Sequence, residues 1–455
     1  MSLISSRIAL VFLMGGLMSI LILGMFFNQP LLVSLIFLAG LIVALTFLHN
    51  VKWGIFLILF IRPLMDKFGE QFTINLTENI KFNTAAVFGM LVIVLLSVFL
   101  FKNKGELKDV LLKKYWFIFL LMASASIFIS IEKVSSIYEI LRILSIFLFF
   151  ASACIFVKTE KSPEVILNAI IFSALIPFIS ATYQLITKTG LGGTEGLESR
   201  LFGTFSHPNP FASFVVIVLA VAIYLIFQEK DFWRKWLLGI FIVWGILILE
   251  QTYARGAWLA FLIFLTIVTL KKSPKILLGI ILFSLALFFF SETAHDRIED
   301  IYNPPADSSI RWRFAQWEKM YGVFLEKPLT GFGIGTEIIV HEKEFGFNSG
   351  NQYTHNDLLR IALETGIFGF LAYFVLLFAT LVQLIILYRK EKNPLFKDFG
   401  LFVLALFIAL LSFSQTNNTL RETVTQWTLW VLIAVSLATH QLSEKNNVNS
   451  AKSIR

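Results

Sequence analysis

Apolar blocks of about 17–24 residues recur along this chain, each long enough to cross a bilayer as an α-helix. Of the 455 residues, 57% are hydrophobic and only 15% charged, with a mean hydropathy of +0.78. A soluble globular chain is about half apolar and a quarter charged, and here the apolar excess is gathered in blocks. Hydropathy gives about 14 candidate spans, the first at 8–27 and the last at 424–440. The span at 53–64 is short and also compatible with a re-entrant segment, and another is expected at 276–291. The first 26 residues have the length of a signal peptide. No small-residue cleavage site precedes Pro30 and a second span follows at once, so they read as a retained first helix. The expected fold is an all-α integral membrane protein, a polytopic bundle of about 12–14 transmembrane helices.

The formal net charge of +8 sets topology in such a chain rather than indicating a nucleic-acid partner. Alternate short loops hold about 22 and about eight basic residues. The rich set includes Lys102 to Lys114, Lys230 to Lys235, Lys271 to Lys275 and Arg389 to Lys397, and the rule that cytoplasmic loops are positive puts it inside. Both termini are then cytoplasmic, and the long loop 292–355 is extracytoplasmic. Within it Ile310, Phe314, Trp317, Tyr321 and Phe324 recur every three or four residues behind capping groups at Asp307 to Ser309. This predicts an amphipathic helix that lies on the outer leaflet or caps the bundle. Three regions are expected: N-terminal transmembrane helices over 1–198, a membrane domain over 199–440 that includes the long loop, and a cytoplasmic polar tail over 441–455. The single cysteine, Cys154, excludes an internal disulfide and a cysteine metal cluster.

Topology sorts the residues that carry chemistry. Arg200, His207, Arg255, Arg311, Arg313, His355 and Arg421 all fall on the outer face, in loops or at helix ends. The positive-inside bias disfavours arginine there, and a shared anionic substrate is one reason for the exceptions. A guanidinium binds phosphate through two parallel hydrogen bonds and keeps its charge. Gly203 permits a tight turn after Arg200, and Pro208 and Pro210 flank Asn209 before a span begins. Arg255 lies between two spans with almost no loop, a costly place for a charge without a partner, and Glu250 is available as one. Glu139 and Arg142, three apart on one helix face, read as a buried structural pair. His355-Asn356, nine residues, then Gly366-Ile367-Phe368-Gly369 is an unusual lead into a membrane helix. An interfacial imidazole there either anchors a helix end or moves protons near neutral pH. The two glycines let a helix pack against a neighbour or let a substrate lie against it.

Gly331-Phe332-Gly333-Ile334-Gly335 has no preceding strand and no crossover unit, so it does not read as a nucleotide loop. There is no Walker motif, no Asp-x-Asp pair and no metal-ligand spacing on one helix, and neither cofactor nor metal is expected.

From Ser199 onward the chain resembles the bacterial O-antigen ligase and O-antigen polymerase family. The resemblance rests on Arg200 with Gly203 and Asn209, on Tyr253-Ala254-Arg255-Gly256, on Arg311 to Trp317, on Pro328 to Gly333, and above all on His355-Asn356 with Gly366 and Gly369. It implies a membrane glycosyltransferase that moves a glycan from undecaprenyl diphosphate to an acceptor sugar hydroxyl at the outer face of the bacterial cytoplasmic membrane. The transfer it implies inverts the anomeric centre and needs no metal. By the same resemblance His355, Arg255 and Arg200 are catalytic, and Arg311, Asn356, His207, Asn209, Gly366 and Gly369 contact substrate. The acceptor is either another lipid-linked glycan, for a polymerase, or a lipid A core or other terminal acceptor, for a ligase. His355 either removes the acceptor proton or orients the acceptor. A transporter or flippase for an anionic lipid-linked substrate is the alternative. It predicts charges near the bilayer midplane and an inverted repeat, whereas the polar residues here crowd one face.

Overall fold

The computed structural model describes residues 31–66, 73–77, 80–160, 163–192, 199–273, 309–346 and 353–453. The spans expected at 8–27 and 276–291 lie outside them. The first helices are α1 (Leu31–His49) and α2 (Val51–Ile61), followed by an antiparallel hairpin of β1 (Thr73–Thr77) and β2 (Ile80–Asn83). Then come α3 (Thr84–Lys102), α4 (Lys113–Ala125), α5 (Lys133–Glu160), α6 (Glu164–Thr187), α7 (Pro208–Gln228), α8 (Phe232–Gln251) and α9 (Arg255–Lys272). The long loop contributes α10 (Ser309–Glu326) and α11 (Glu337–Phe345), and α12 (Asp357–Lys390), α13 (Pro394–Phe413) and α14 (Thr423–Ser453) complete the chain. Seven of the described helices, α3, α5, α6, α7, α8, α12 and α13, are long and apolar enough to cross a membrane. The all-α polytopic membrane fold read from hydropathy is thus the observed one, with the hairpin as an unforeseen addition.

Local chemistry fixes where the spans begin. His207 caps α7, its Nδ1 accepting from the Asn209 N–H at 3.2 Å, and Pro208 takes the first helical position, where a missing N–H costs nothing. Asp231, Asn356 and Asn393 cap α8, α12 and α13 through side-chain oxygens that accept from Arg234, Leu359 and Leu395 N–H groups at 2.9–3.0 Å.

The apolar core runs from Val43 to Ala438 without a break, so the helices before residue 199 pack directly on those after it. Its centre is α14 lying along α5, where Trp430 meets Trp116 at 4.6 Å and Phe150 at 5.6 Å, and Trp427 meets Phe149 edge-on at 5.3 Å. Each buried indole N–H of α14 has a partner, Ser145 Oγ for Trp427 and Gln426 Oε1 for Trp430.

The helices give the bundle two chemically different ends. At one, α5, α7, α9, α12 and α14 begin, and the polar loops described below meet. At the other lie the lysine-rich loops, tied by Lys158 to the Asp109 carbonyl at 3.0 Å, by Lys272 to Asp398, and by His440 to Glu391 at 2.6 Å.

Helix α12 is bent at Gly366, whose φ of 66° and ψ of −171° lie outside the helical region. The glycine-rich stretch rejected as a nucleotide loop fills the bend. Phe332 N–H donates to Leu363 O at 3.0 Å, Gly333 N–H to Glu364 O at 2.8 Å, and Ile367 N–H to Pro328 O at 2.8 Å. Carbonyls freed by the bend are thereby satisfied. A Cβ on Gly366 would sit 2.3 Å from Leu329 O. Gly366→Ala should therefore cost about 1–3 kcal/mol through strain and the displaced loop, read as a lower thermal midpoint of the detergent-solubilised protein. An unchanged midpoint would mean that the bend is not fixed by this contact.

Candidate active site

The loop that carries Arg200 is pinned from below by a buried glutamine. Gln184 Oε1 accepts from Phe202 and Gly203 N–H at 3.1 and 3.0 Å, and its Nε2 donates to Gly203 O at 2.8 Å. Arg200 pairs its backbone with Leu191, and its guanidinium donates to Thr252 O at 2.9 Å and Asn209 Oδ1 at 3.0 Å. Asn209 in turn donates to Asn417 Oδ1 at 2.8 Å. Arg200 is thus held at the junction of three polar loops, beside the residues that open α9.

Arg255 is the first residue of α9. Gly256 next to it lets that helix start tight against α13: an added Cβ would lie 2.9 Å from Thr416 Oγ1 and 3.0 Å from the Phe413 ring. Arg313 on α10 approaches from the long loop. Burial lowers its pKa and the charge of Arg255 lowers it further. Arg311, two residues away, is exposed on the other side of α10, as a rise of two residues turns a helix by about 200°. Arg313 joins the group from this helix.

The expected helix in the loop is present, but its inward face is turned from the stripe read in the sequence. Gln316, Met320 and Val323 are buried, while Phe314 and Tyr321 are 62% and 55% exposed. The inward face packs on Phe332, Val340 and Leu363, so α10 caps the bundle.

His355 sits in a strap between this cap and α12. Its φ is 52°, the left-handed region that few non-glycine residues occupy. Thr354 N–H donates to Glu337 Oε1 at 2.7 Å, and Asp357 N–H to Ser414 O at 3.0 Å, so the strap is fixed on both sides of the imidazole. Burial is the largest cause that pushes the His355 pKa down, to about 4, with Arg313, His207 and His341 adding to it against the pull of Glu337. His207 is likewise pushed to about 4, by desolvation and by Arg200 and Arg313. His207 is an exposed residue, so the two arginines are the firmer cause. These mutual effects bring Arg200, His207, Arg255, Arg313 and His355 into one electrostatic group, although they come from four separate segments of the chain.

The other expected contacts have structural employment. Asn356 caps α12, Gly366 makes its bend, and a Cβ on Gly369 would meet the Thr365 side chain at 2.1 Å. Among the described residues no group of three or more His, Cys, Asp or Glu side chains is arranged to hold a metal ion.

Beneath His355 lies a set of buried charges of which the sequence reading identified only Glu139 and Arg142. That pair is present, and Arg360 joins it. Arg360, fully buried, also pairs with Glu364 at 3.3 Å and Glu337 at 3.6 Å. Glu337 accepts from Asn418 at 3.0 Å and Arg421 at 3.1 Å, and against the opposing effect of burial Arg421 and Arg360 hold its carboxylate below the ordinary range. Asp357 accepts from Thr419 Oγ1 at 2.6 Å and Leu420 N–H at 2.8 Å. The spacing Asp357-x-x-Arg360-x-x-x-Glu364 was the available signal, since those positions share one helix face. Removing one partner of a buried ionic group leaves the others uncompensated, at a cost of about 3–5 kcal/mol. Arg360→Met should accordingly abolish accumulation of the folded protein or lower its thermal midpoint well beyond a surface arginine change such as Arg234→Met. Equal midpoints for the two variants would remove Arg360 from the stability of the bundle.

Two comparisons bear on what this arrangement is. No curated protein matches the chain. Residues 240–374 match the family model described as O-Antigen ligase. The match spans Arg255, Arg313, His355 and the bend of α12, while Arg200 and His207 lie ahead of it and reach the same group through the fold. Over those residues the chain is similar to the O-antigen ligase family of membrane glycan-transfer enzymes.

Proposed function

We propose that the protein transfers a glycan from undecaprenyl diphosphate to an acceptor sugar hydroxyl at the extracytoplasmic face of the bacterial cytoplasmic membrane, as a surface-polysaccharide polymerase or ligase. The observation that carries this reading is the convergence of three arginines and two imidazoles at the end of the bundle opposite the lysine-rich loops. A lipid diphosphate leaving group develops negative charge as its bond to the anomeric carbon breaks. Fixed guanidinium groups facing that charge stabilise it without a metal, and one such donor is worth about 3 kcal/mol in related sites. Arg200, Arg255 and Arg313 take this role, with Arg200 oriented by Thr252 and Asn209.

The acceptor oxygen attacks the anomeric carbon from the face opposite the diphosphate. A new C–O bond forms as the glycan–phosphate bond breaks, which inverts the centre. His355 takes the hydroxyl proton, and undecaprenyl diphosphate departs. An imidazole pushed down to about 4 is neutral at pH 7 and can accept that proton.

Three outcomes test this. His355→Ala should lose transfer while accumulating normally, and near wild-type transfer by the purified variant would exclude His355 as the base. Lysine keeps a charge but not the paired hydrogen bonds, so Arg255→Lys should stay impaired by about 1–3 kcal/mol. Transfer from the lipid-linked donor should persist in excess EDTA with no nucleotide sugar present, and loss restored by magnesium would overturn the arginine-based account.

The pH dependence has a defined sign. A histidine whose pKa is lowered in the free enzyme stays neutral as pH falls through about 6.5, the value of an unperturbed imidazole. The acid limb of kcat/KM, which reports the free enzyme, should therefore lie well below that pH. A limb at about 6.5 would show an imidazole with ordinary basicity.

A further inference from the structure

We infer that Gln316 and Trp317, neighbours on α10, are positioning residues that fasten the strap bearing His355 and so hold its imidazole among the arginines. The inference rests on the reading of His355 as the base. Trp317 Nε1–H donates to Thr354 O at 2.7 Å, and Gln316 Nε2 donates to Tyr353 O at 2.7 Å. Two consecutive side chains of one helix thus hold two consecutive carbonyls immediately before His355. Gln316 is fully buried, and its amide also meets His341 Nε2. An amide buried on the inward face of an amphipathic helix is costly unless its hydrogen bonds are made. The bonds of its Nε2 give this polar side chain a role on the inward face of the helix.

The left-handed conformation of His355 needs such fastening. It costs an ordinary residue about 1–2 kcal/mol and persists only where the surroundings over-determine it. With the carbonyls of 353 and 354 released, the strap can relax toward an ordinary φ, which swings the imidazole out toward water. The same helix carries Arg313 one turn before Trp317, so a single rigid element sets the spacing between the cation and the base.

The groups that face the imidazole are Arg313 on α10, Glu337 and His341 on α11, and His207 at the cap of α7. An imidazole released toward water escapes both its burial and these charges. Its acid limb then moves up toward the ordinary histidine value.

The experiment uses the full-length purified enzyme with a lipid-diphosphate-linked glycan as donor. Trp317→Phe keeps an aromatic ring in its contact with Phe314 but removes the N–H donor, and Gln316→Met keeps volume and removes the amide. Both should lower kcat about ten- to hundredfold, as expected of a misplaced base, with KM for the donor within about twofold. Both should raise the acid limb of kcat/KM toward about 6.5. Added to His355→Ala, Trp317→Phe should cause no further loss. Should Trp317→Phe fail to accumulate, Gln316→Met reads the same limb. Wild-type kcat with an unmoved limb would overturn the inference, as would a lower yield of active enzyme whose limb is unmoved. Activity retained by His355→Ala alone would instead overturn the reading of His355 on which the inference stands.

Discussion

A fully buried guanidinium, that of Arg360, organises the polar end of this membrane protein. It draws together carboxylates from three elements: Glu139 of α5, Glu337 of α11 and Glu364 of its own helix. In a low-dielectric interior an ionised group persists only with partners and hydrogen bonds, so the position of each carboxylate is tied to the others. Glu337 passes that order outward. It receives Thr354 N–H next to His355, and Asn418 and Arg421 from the loop before α14. The loop helices dock on the bundle through this set of charges, and the small apolar cluster around Met320 and Leu363 closes over them.

The bend in α12 depends on the same docking. The Pro328-to-Gly333 segment enters only because Gly366 and Gly331 leave room for backbone to meet backbone, and that segment connects α10 to α11. Gly335, just beyond it, packs on Ser135 O and the Glu139 side chain, and Ser136 Oγ donates to Ile334 O at 2.5 Å. A stretch with the look of a phosphate loop is therefore a seam between the capping helices α10 and α11 and two membrane helices.

Much of this was legible in the amino-acid sequence, and the failures have physical reasons. Membrane spans declare themselves because length and apolarity suffice to specify them, with no partner needed. The arginines and imidazoles stand out in the sequence because they fall in the lysine-poor loops, where the topology rule disfavours arginine. The buried positions of α10 are offset by about one residue from the stripe read in the sequence, and Arg313 is a cation of that helix that acts on His355 and His207. The apolar periodicity alone does not say which face of α10 meets the bundle. Gln316 is buried because it has carbonyls to hold, and Phe314 and Tyr321 face away from the bundle. Asn356 and Gly366 stand in the motif that carries the resemblance, yet their contacts are a cap and a bend. A motif marks positions that the fold needs as readily as positions that a substrate needs. Glu337 and Arg360 were invisible singly, because a charge in a loop or in a first helical turn looks solvated until the chain that covers it is seen.

The crowding of positive groups around His355 has a consequence for when the site can act. After burial, Arg313 is the next cause that depresses the basicity of the imidazole, and it does so while no anion offsets its field. On the proposed reading the donor itself brings that anion. As its diphosphate settles among the arginines, the local potential falls and the imidazole regains affinity for a proton. By linkage, the proton and the donor then bind cooperatively. Donor association below about pH 6.5 should accordingly take up protons, visible as a buffer-dependent heat of binding, and a heat independent of the buffer would refute the coupling. On that reading the imidazole becomes a stronger base when the donor arrives, and it is a weaker one in the empty enzyme.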